Sequence, residues 1–128
     1  MLAIGAAKIF RARVLATDID RYAAAAAREN ARINRTAALV EIVCAAGVSA
    51  PRIRRRAPYG LIFANILLGP LQRMAAPLAR LLSPGGRVVL SGLLPAHAYG
   101  ALSAYRAQGL TLERRIPLDG WVTLVLRR

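Results

Sequence analysis

Short strand-like apolar runs alternate with segments of helical period along nearly the whole chain, and this alternation limits the possible architectures more than any other feature. Residues 2–10 have a helical pattern, and RVLAT (13–17) is a β-rich run ending at Asp18. From Asp20 to Asn34, Ala23, Ala27 and Ala31 recur every four residues while Arg28, Glu29, Arg32 and Arg35 mark a polar face, so an amphipathic helix with Asp20 as its N-cap is predicted. ALVEIVC (38–44) alternates as a second strand. Residues 47–58 carry two prolines and RIRRR, which predicts a poorly formed helix or a loop. YGLIFANI (59–66) is a continuous apolar run, the mark of a strand covered on both faces. A helix is predicted over 67–82, stopped by the turn signal Ser83-Pro84-Gly85-Gly86. RVVLSGLL (87–94) reads as a buried strand and 96–108 as a helix closed by Gly109. The last two runs, LTLERRIPL and GWVTLVLRR, flank Asp119-Gly120 as a hairpin.

Strands alternating with helices build a parallel sheet with helices on both faces, and the closing hairpin adds an antiparallel strand. The expected class is therefore α/β, in one domain over residues 1–128, a length that buries one core. The first helix has no strand before it, which is odd for a fold whose repeating unit starts with one.

Charge and cysteine content narrow the function. Nineteen Lys and Arg against six Asp and Glu give a net charge of +13, so anionic partners such as phosphate or RNA are attracted. An even scatter of arginine through an alanine-rich chain accounts for the same number without a binding face. Cys44 is the sole cysteine, which rules out an internal disulfide and suits a reducing compartment. His97 has no second histidine or cysteine at ligand spacing, so it reads as a surface residue and no metal site is expected. The apolar stretch 57–71 is too short for a membrane span and is broken by Pro58, Asn65, Gly69 and Pro70. The basic residues Lys8, Arg11 and Arg13 follow the first apolar run instead of preceding it, the reverse of a secretory signal, and a cytoplasmic protein is expected.

Two polar side chains stand where strands end. In open α/β sheets ligands bind beyond the carboxyl ends of the strands. Asp18, in VLATDID, is placed to accept hydrogen bonds from the two hydroxyls of a ribose, or else is a solvated turn residue. Asn65, in LIFANILLGP, closes an apolar strand. Its amide is either bonded internally or turned to a ligand, where its oxygen would hold an amine N–H so that the nitrogen lone pair faces a methyl donor. No Ser-His-Asp set or Walker loop competes with these residues.

VLATDID, ARENARIN, FANILLGPL, LARLLSPGGRVVLSGLL, YRAQGL and GWVTLVLRR, in this order, resemble the carboxyl-terminal catalytic domain of the ribosomal protein L-eleven methyltransferase (PrmA-like) family, within the class I S-adenosylmethionine-dependent methyltransferases. The resemblance covers nearly the whole chain. It implies a Rossmann-like sheet with an antiparallel C-terminal hairpin, S-adenosylmethionine as cofactor, and methylation of amino groups of a large-subunit ribosomal protein. Carried over by position, Asp18 binds the ribose hydroxyls, Ile19 packs on the adenine, Ala46 lines its edge, and Asn65 positions the amine.

Departures from the family pattern qualify that expectation. The central strand and glycine-rich loop that precede LAIGAAK in the family are missing, as is the amino-terminal substrate-recognition domain; Gly5 lies within a helix and does not replace the loop. Ala45-Ala46 stands where relatives tend to have glycine and a polar residue, and RIRRRAP where they are more acidic. A truncated catalytic domain is expected, with S-adenosylmethionine bound weakly or not at all. The absent strand belongs between those containing Leu15 and Ile62, leaving two unpaired edges or a direct pairing of these neighbours. The competing functions are an RNA or ribosome-binding module using Arg52, Arg54, Arg55 and Arg56, and a non-catalytic interaction remnant in which Trp121 marks a partner surface.

Overall fold

The computed structural model describes residues 1–128 and divides into two compact units, Met1–Ile53 and Arg54–Arg128. In the first unit, α1 (Leu2–Phe10), β1 (Val14–Asp18), α2 (Arg21–Ile33) and β2 (Val40–Cys44) follow in order, with β1 and β2 parallel and paired from Val14 with Val40 to Asp18 with Cys44. The expected N-cap is present: Asp20 accepts from the Tyr22 N–H at 2.8 Å, satisfying one of the donors that a helix start leaves unpaired. The second strand begins two residues later than predicted, because the N–H groups of Leu39 and Val40 both donate to the Thr36 carbonyl and hold 36–39 as a turn. Ile4, Ala7, Ala31 and Val40 form the core of this unit. Two of these four are alanines, so little apolar area per residue leaves water.

The second unit holds a four-stranded sheet in the order β3 (Tyr59–Asn65), β4 (Leu82–Leu93), β6 (Trp121–Arg127), β5 (Thr111–Leu118). β3 and β4 are parallel, whereas β6 runs antiparallel to both its neighbours. The six-residue helix α3 (Pro51–Arg56) leads into it, settling 47–58 as a loop followed by a short helix. α6 (Pro95–Arg106) starts with Pro95 in its first turn and packs on β4, β5 and β6. Leu71, Leu78, Val88, Leu90, Tyr105 and Leu124 are among the fully buried side chains of the second unit. His97, expected at the surface, is half-buried in the first turn of α6.

Three further sequence expectations change. The helix expected over 67–82 is two helices, α4 (Leu68–Arg73) and α5 (Ala75–Leu81), because Pro77 has no N–H to offer the carbonyl of Arg73 and its ring crowds that carbonyl. Ser83 to Gly86 does not end an element but bulges within β4: Tyr59 pairs with Leu82, and Leu61 already with Arg87. Gly86 permits the bulge, since a β-carbon there would lie 2.9 Å from the Ser83 carbonyl oxygen and 3.0 Å from that of Tyr59. Nor is β3 covered on both faces, for Phe63 remains 40% exposed; its face of the sheet carries only half-buried or exposed side chains while the opposite face packs on helices.

The hairpin forms as expected, with Asp119 at φ 49° and Gly120 at φ 80°, the two positive values of a type I′ turn. The outer strand β5 carries a bulge at Glu113 and a proline at 117, features that discourage pairing with a foreign strand. β1 has a neighbour only in β2, and β3 only in β4, so of the two expected outcomes the unpaired edges are the one observed.

Candidate functional site

The carboxyl ends of β1 and β2 bring three of the four candidate residues together within the first unit. The Ala45 N–H donates to the Asp18 carbonyl at 2.9 Å, extending the ladder one step past the strand. Thr17 Oγ1 donates to the Gly47 carbonyl at 3.3 Å, and Cys44 Sγ to the Ile19 carbonyl at 3.7 Å. These bonds tie the segment after β1 to the segment containing Ala46, which is itself shaped by Ser49 Oγ donating to the Ala46 carbonyl at 2.8 Å. Neither Thr17 nor Cys44 was among the candidate site residues of the sequence. A hydroxyl and a thiol at strand ends give no signal until the register is known.

Asp18 is exposed, and one of its carboxylate oxygens accepts from the Asp20 N–H at 2.9 Å. Asp18 therefore has a structural task beside any ligand contact: Asp20 caps α2, and Asp18 holds the turn that delivers Asp20 to that cap. Its second oxygen is directed to no protein donor, which suits a ribose hydroxyl. Ile19, beside it, is 75% exposed, an apolar surface that water covers poorly, and Ala46 is exposed as well. An open carboxylate oxygen next to bare apolar surface fits the diol and the flat base of a nucleoside.

Asn65 ends β3 in the second unit, paired in register with Ser91 of β4. It is exposed, and no group of the chain is bonded to its amide, so donor and acceptor both remain available. It lies against Gly92, which has φ 73° and interrupts the β4–β6 ladder: Leu90 pairs with Leu124 but Leu93 with Val122, one residue more on β4 than on β6. A glycine within the predicted strand RVVLSGLL was the available signal for such a bulge.

The four arginines of α3 are not equivalent. Arg52 forms an ion pair with Glu41 of β2, while Arg54 and Arg55 are exposed. Trp121, in the hairpin, is 52% exposed. No helix is long and apolar enough to cross a membrane, and no group of three metal-binding side chains comes together.

Residues 1–128 match the protein family described as ribosomal protein L11 methyltransferase (PrmA). Among curated proteins, the ribosomal protein L11 methyltransferase of Rhodopseudomonas palustris is 48% identical over 128 residues, and that of Bradyrhizobium diazoefficiens 45% identical. Each alignment covers 100% of this chain and 43% of the relative, so the chain spans less than half the length of these proteins. Among solved structures, the ribosomal protein L11 methylase of Lactobacillus delbrueckii subsp. bulgaricus superposes with a TM-score of 0.89 at 27% identity, covering 99% of this chain and 64% of that one. An RNA methyltransferase from Salinibacter ruber, solved in complex with S-adenosyl-L-homocysteine, superposes with a TM-score of 0.77 at 22% identity, covering 98% of this chain and 72% of that one, which speaks to the fold alone. The fold is α/β, of the Rossmann-like class I methyltransferase type. The chain belongs to the ribosomal protein L11 methyltransferase (PrmA) family.

Proposed function

We propose that the chain is catalytic-domain sequence of an S-adenosylmethionine-dependent protein N-methyltransferase acting in the cytoplasm on amino groups of ribosomal protein L11, with both compact units belonging to that one domain. The observation that carries the reading is the open carboxylate oxygen of Asp18 beside the bare surface of Ile19, in a chain whose relatives are named ribosomal protein L11 methyltransferase. S-adenosylmethionine supplies an electrophilic methyl group on a sulfonium sulfur. Asp18 accepts from its ribose hydroxyls, Ile19 covers the adenine face, and Ala46 borders the adenine edge. Asn65 accepts an N–H of the substrate amine through Oδ1, which turns the nitrogen lone pair outward for attack. The amine must arrive neutral, since an ammonium has no lone pair to offer.

Binding by the 128-residue chain alone is expected to be weaker than micromolar, because one carboxylate and the side chains of Ile19 and Ala46 offer a cofactor little contact surface. Calorimetric titration with S-adenosyl-L-homocysteine tests the assignment: measurable heat with the parent chain, lost in Asp18→Ala and retained in Asp20→Asn, supports it. Equal affinity in the parent and Asp18→Ala overturns the ribose role. Phosphate contact by Arg54 and Arg55 is an accessory part of the reading, favoured by their exposure. RNA affinity that falls steeply with salt and is unaffected by Asp18→Ala would instead make RNA binding the primary function.

A further inference from the structure

The amide of Asn65 is held from below by an absence. A β-carbon built on Gly92 would overlap Asn65 Oδ1 and lie 3.5 Å from its Cγ, so the amide oxygen occupies the volume that any other residue at 92 would fill. The backbone there has φ 73°, a region where an L side chain is strained, and the extra residue of the bulge lies between Leu90 and Leu93. Register places Asn65 opposite Ser91, one residue before this glycine, so the end of β3 is aligned directly with the bulge. The bulge and the missing side chain together make a notch at the end of the β3–β4 pair.

We propose that Gly92 is a positioning residue, whose notch seats the Asn65 side chain and sets the direction in which its amide meets the substrate amine. This rests on the reading of Asn65 as the amine-facing group. A bulge near a reacting centre re-aims a neighbouring side chain, and here the side chain is on the adjacent strand. Gly92 admits an Asn65 rotamer that a β-carbon there would exclude, and no hydrogen bond within the chain holds that exposed side chain.

Gly109 provides the control, because it too has a left-handed φ of 84° but nothing within 4 Å of a built β-carbon. In the 15N-labelled chain, Gly92→Ala is expected to move the side-chain NH2 resonances of Asn65, identified by their loss in Asn65→Ala, whereas Gly109→Ala leaves them in place. The drop in the folding equilibrium constant caused by Gly92→Ala should be about tenfold smaller in an Asn65→Ala background, as for directly touching residues. Unmoved Asn65 resonances, or an equal drop in both backgrounds, overturn the proposal. If Gly92→Ala fails to fold, recovery of folding in the double variant supports it and continued unfolding overturns it. In methyl transfer, Gly92→Ala should lower kcat without raising KM for S-adenosylmethionine. Transfer at the parent rate by Asn65→Ala would sink the catalytic reading of Asn65 while leaving the notch, which the resonances report independently.

Discussion

The hydroxyl of Tyr105, buried on α6, donates to the backbone carbonyl of Leu71 at 3.1 Å. Leu71 lies in the last turn of α4, where carbonyls lose their partners within the helix, and the break before α5 places it there. Burial pushes the Tyr105 phenol above its ordinary pKa, so it remains the protonated donor that this bond requires. One side chain thereby links the helix that follows β3 to the helix that follows β4.

Tyr105→Phe removes the donor and leaves a buried carbonyl without a partner. The expected loss is about 1–3 kcal/mol, a fall in Tm of roughly 5 °C or more for a domain of this size. Thermal unfolding followed by circular dichroism checks it; an unchanged Tm would mean that water replaces the hydroxyl.

Asp20→Ala removes the cap of α2 and is expected to cost about 1 kcal/mol, whereas Asp20→Asn keeps a capping oxygen and costs little. Urea unfolding of the two variants gives the difference. Equal losses would show that the charge of Asp20, and not its hydrogen bond to Tyr22, supports the helix.

Acid should weaken the outer part of the four-stranded sheet. Arg87 and Arg127 face each other across β4 and β6, and Glu113, from the bulge of β5, receives two hydrogen bonds from Arg87 at 2.6 and 3.1 Å. Those bonds hold the Glu113 carboxyl below its ordinary pKa. A carboxyl whose pKa is lower folded than unfolded contributes stability above its unfolded pKa and loses it as pH falls through the folded value. The parent chain should therefore lose stability on acidification below the ordinary glutamate range, and Glu113→Gln should lose less over the same interval. Salt should narrow the difference, since the pair is solvent-facing. Parallel acid titrations of the two chains would refute this.

Hydrogen exchange should separate the two units. The largest fully buried side chains, Tyr105 and Leu71 among them, all lie in 54–128, while the core of 1–53 rests on small residues such as Ala7 and Ala31 with Ile4 and Val40. β1 and β2 form a sheet of only two strands. Amides of β1 and β2 are expected to exchange faster than those of β4 and β6, by at least tenfold where local opening dominates. Uniform protection would contradict it.

Most of the element order was readable in the chain because it depends on local patterning. Alanine at four-residue spacing before Asn34, apolar runs bounded by glycine and proline, and Asp-Gly between two β-rich runs each specify an element from neighbouring residues alone. The N-cap at Asp20 was legible for the same reason, since a cap involves residues two apart. Expectations failed where a local signal competed with pairing across the sheet. Ser83-Pro84-Gly85-Gly86 has the composition of a turn, yet β3 on one side and the chain terminus on the other hold it inside β4, with Arg128 N–H donating to the Gly86 carbonyl at 2.9 Å.

The amino-acid sequence by itself determined most of the order of helices and strands, and it placed a carboxylate and an amide at two strand ends. Tertiary structure decided what those groups can do. Asp18 proved to share its carboxylate with a turn, Arg52 to be paired with Glu41, and Asn65 to sit in the space left by Gly92. Periodicity is a property of neighbours in the chain, whereas the availability of an oxygen or the seat of an amide depends on atoms that folding brings from elsewhere, and no local pattern encodes their approach.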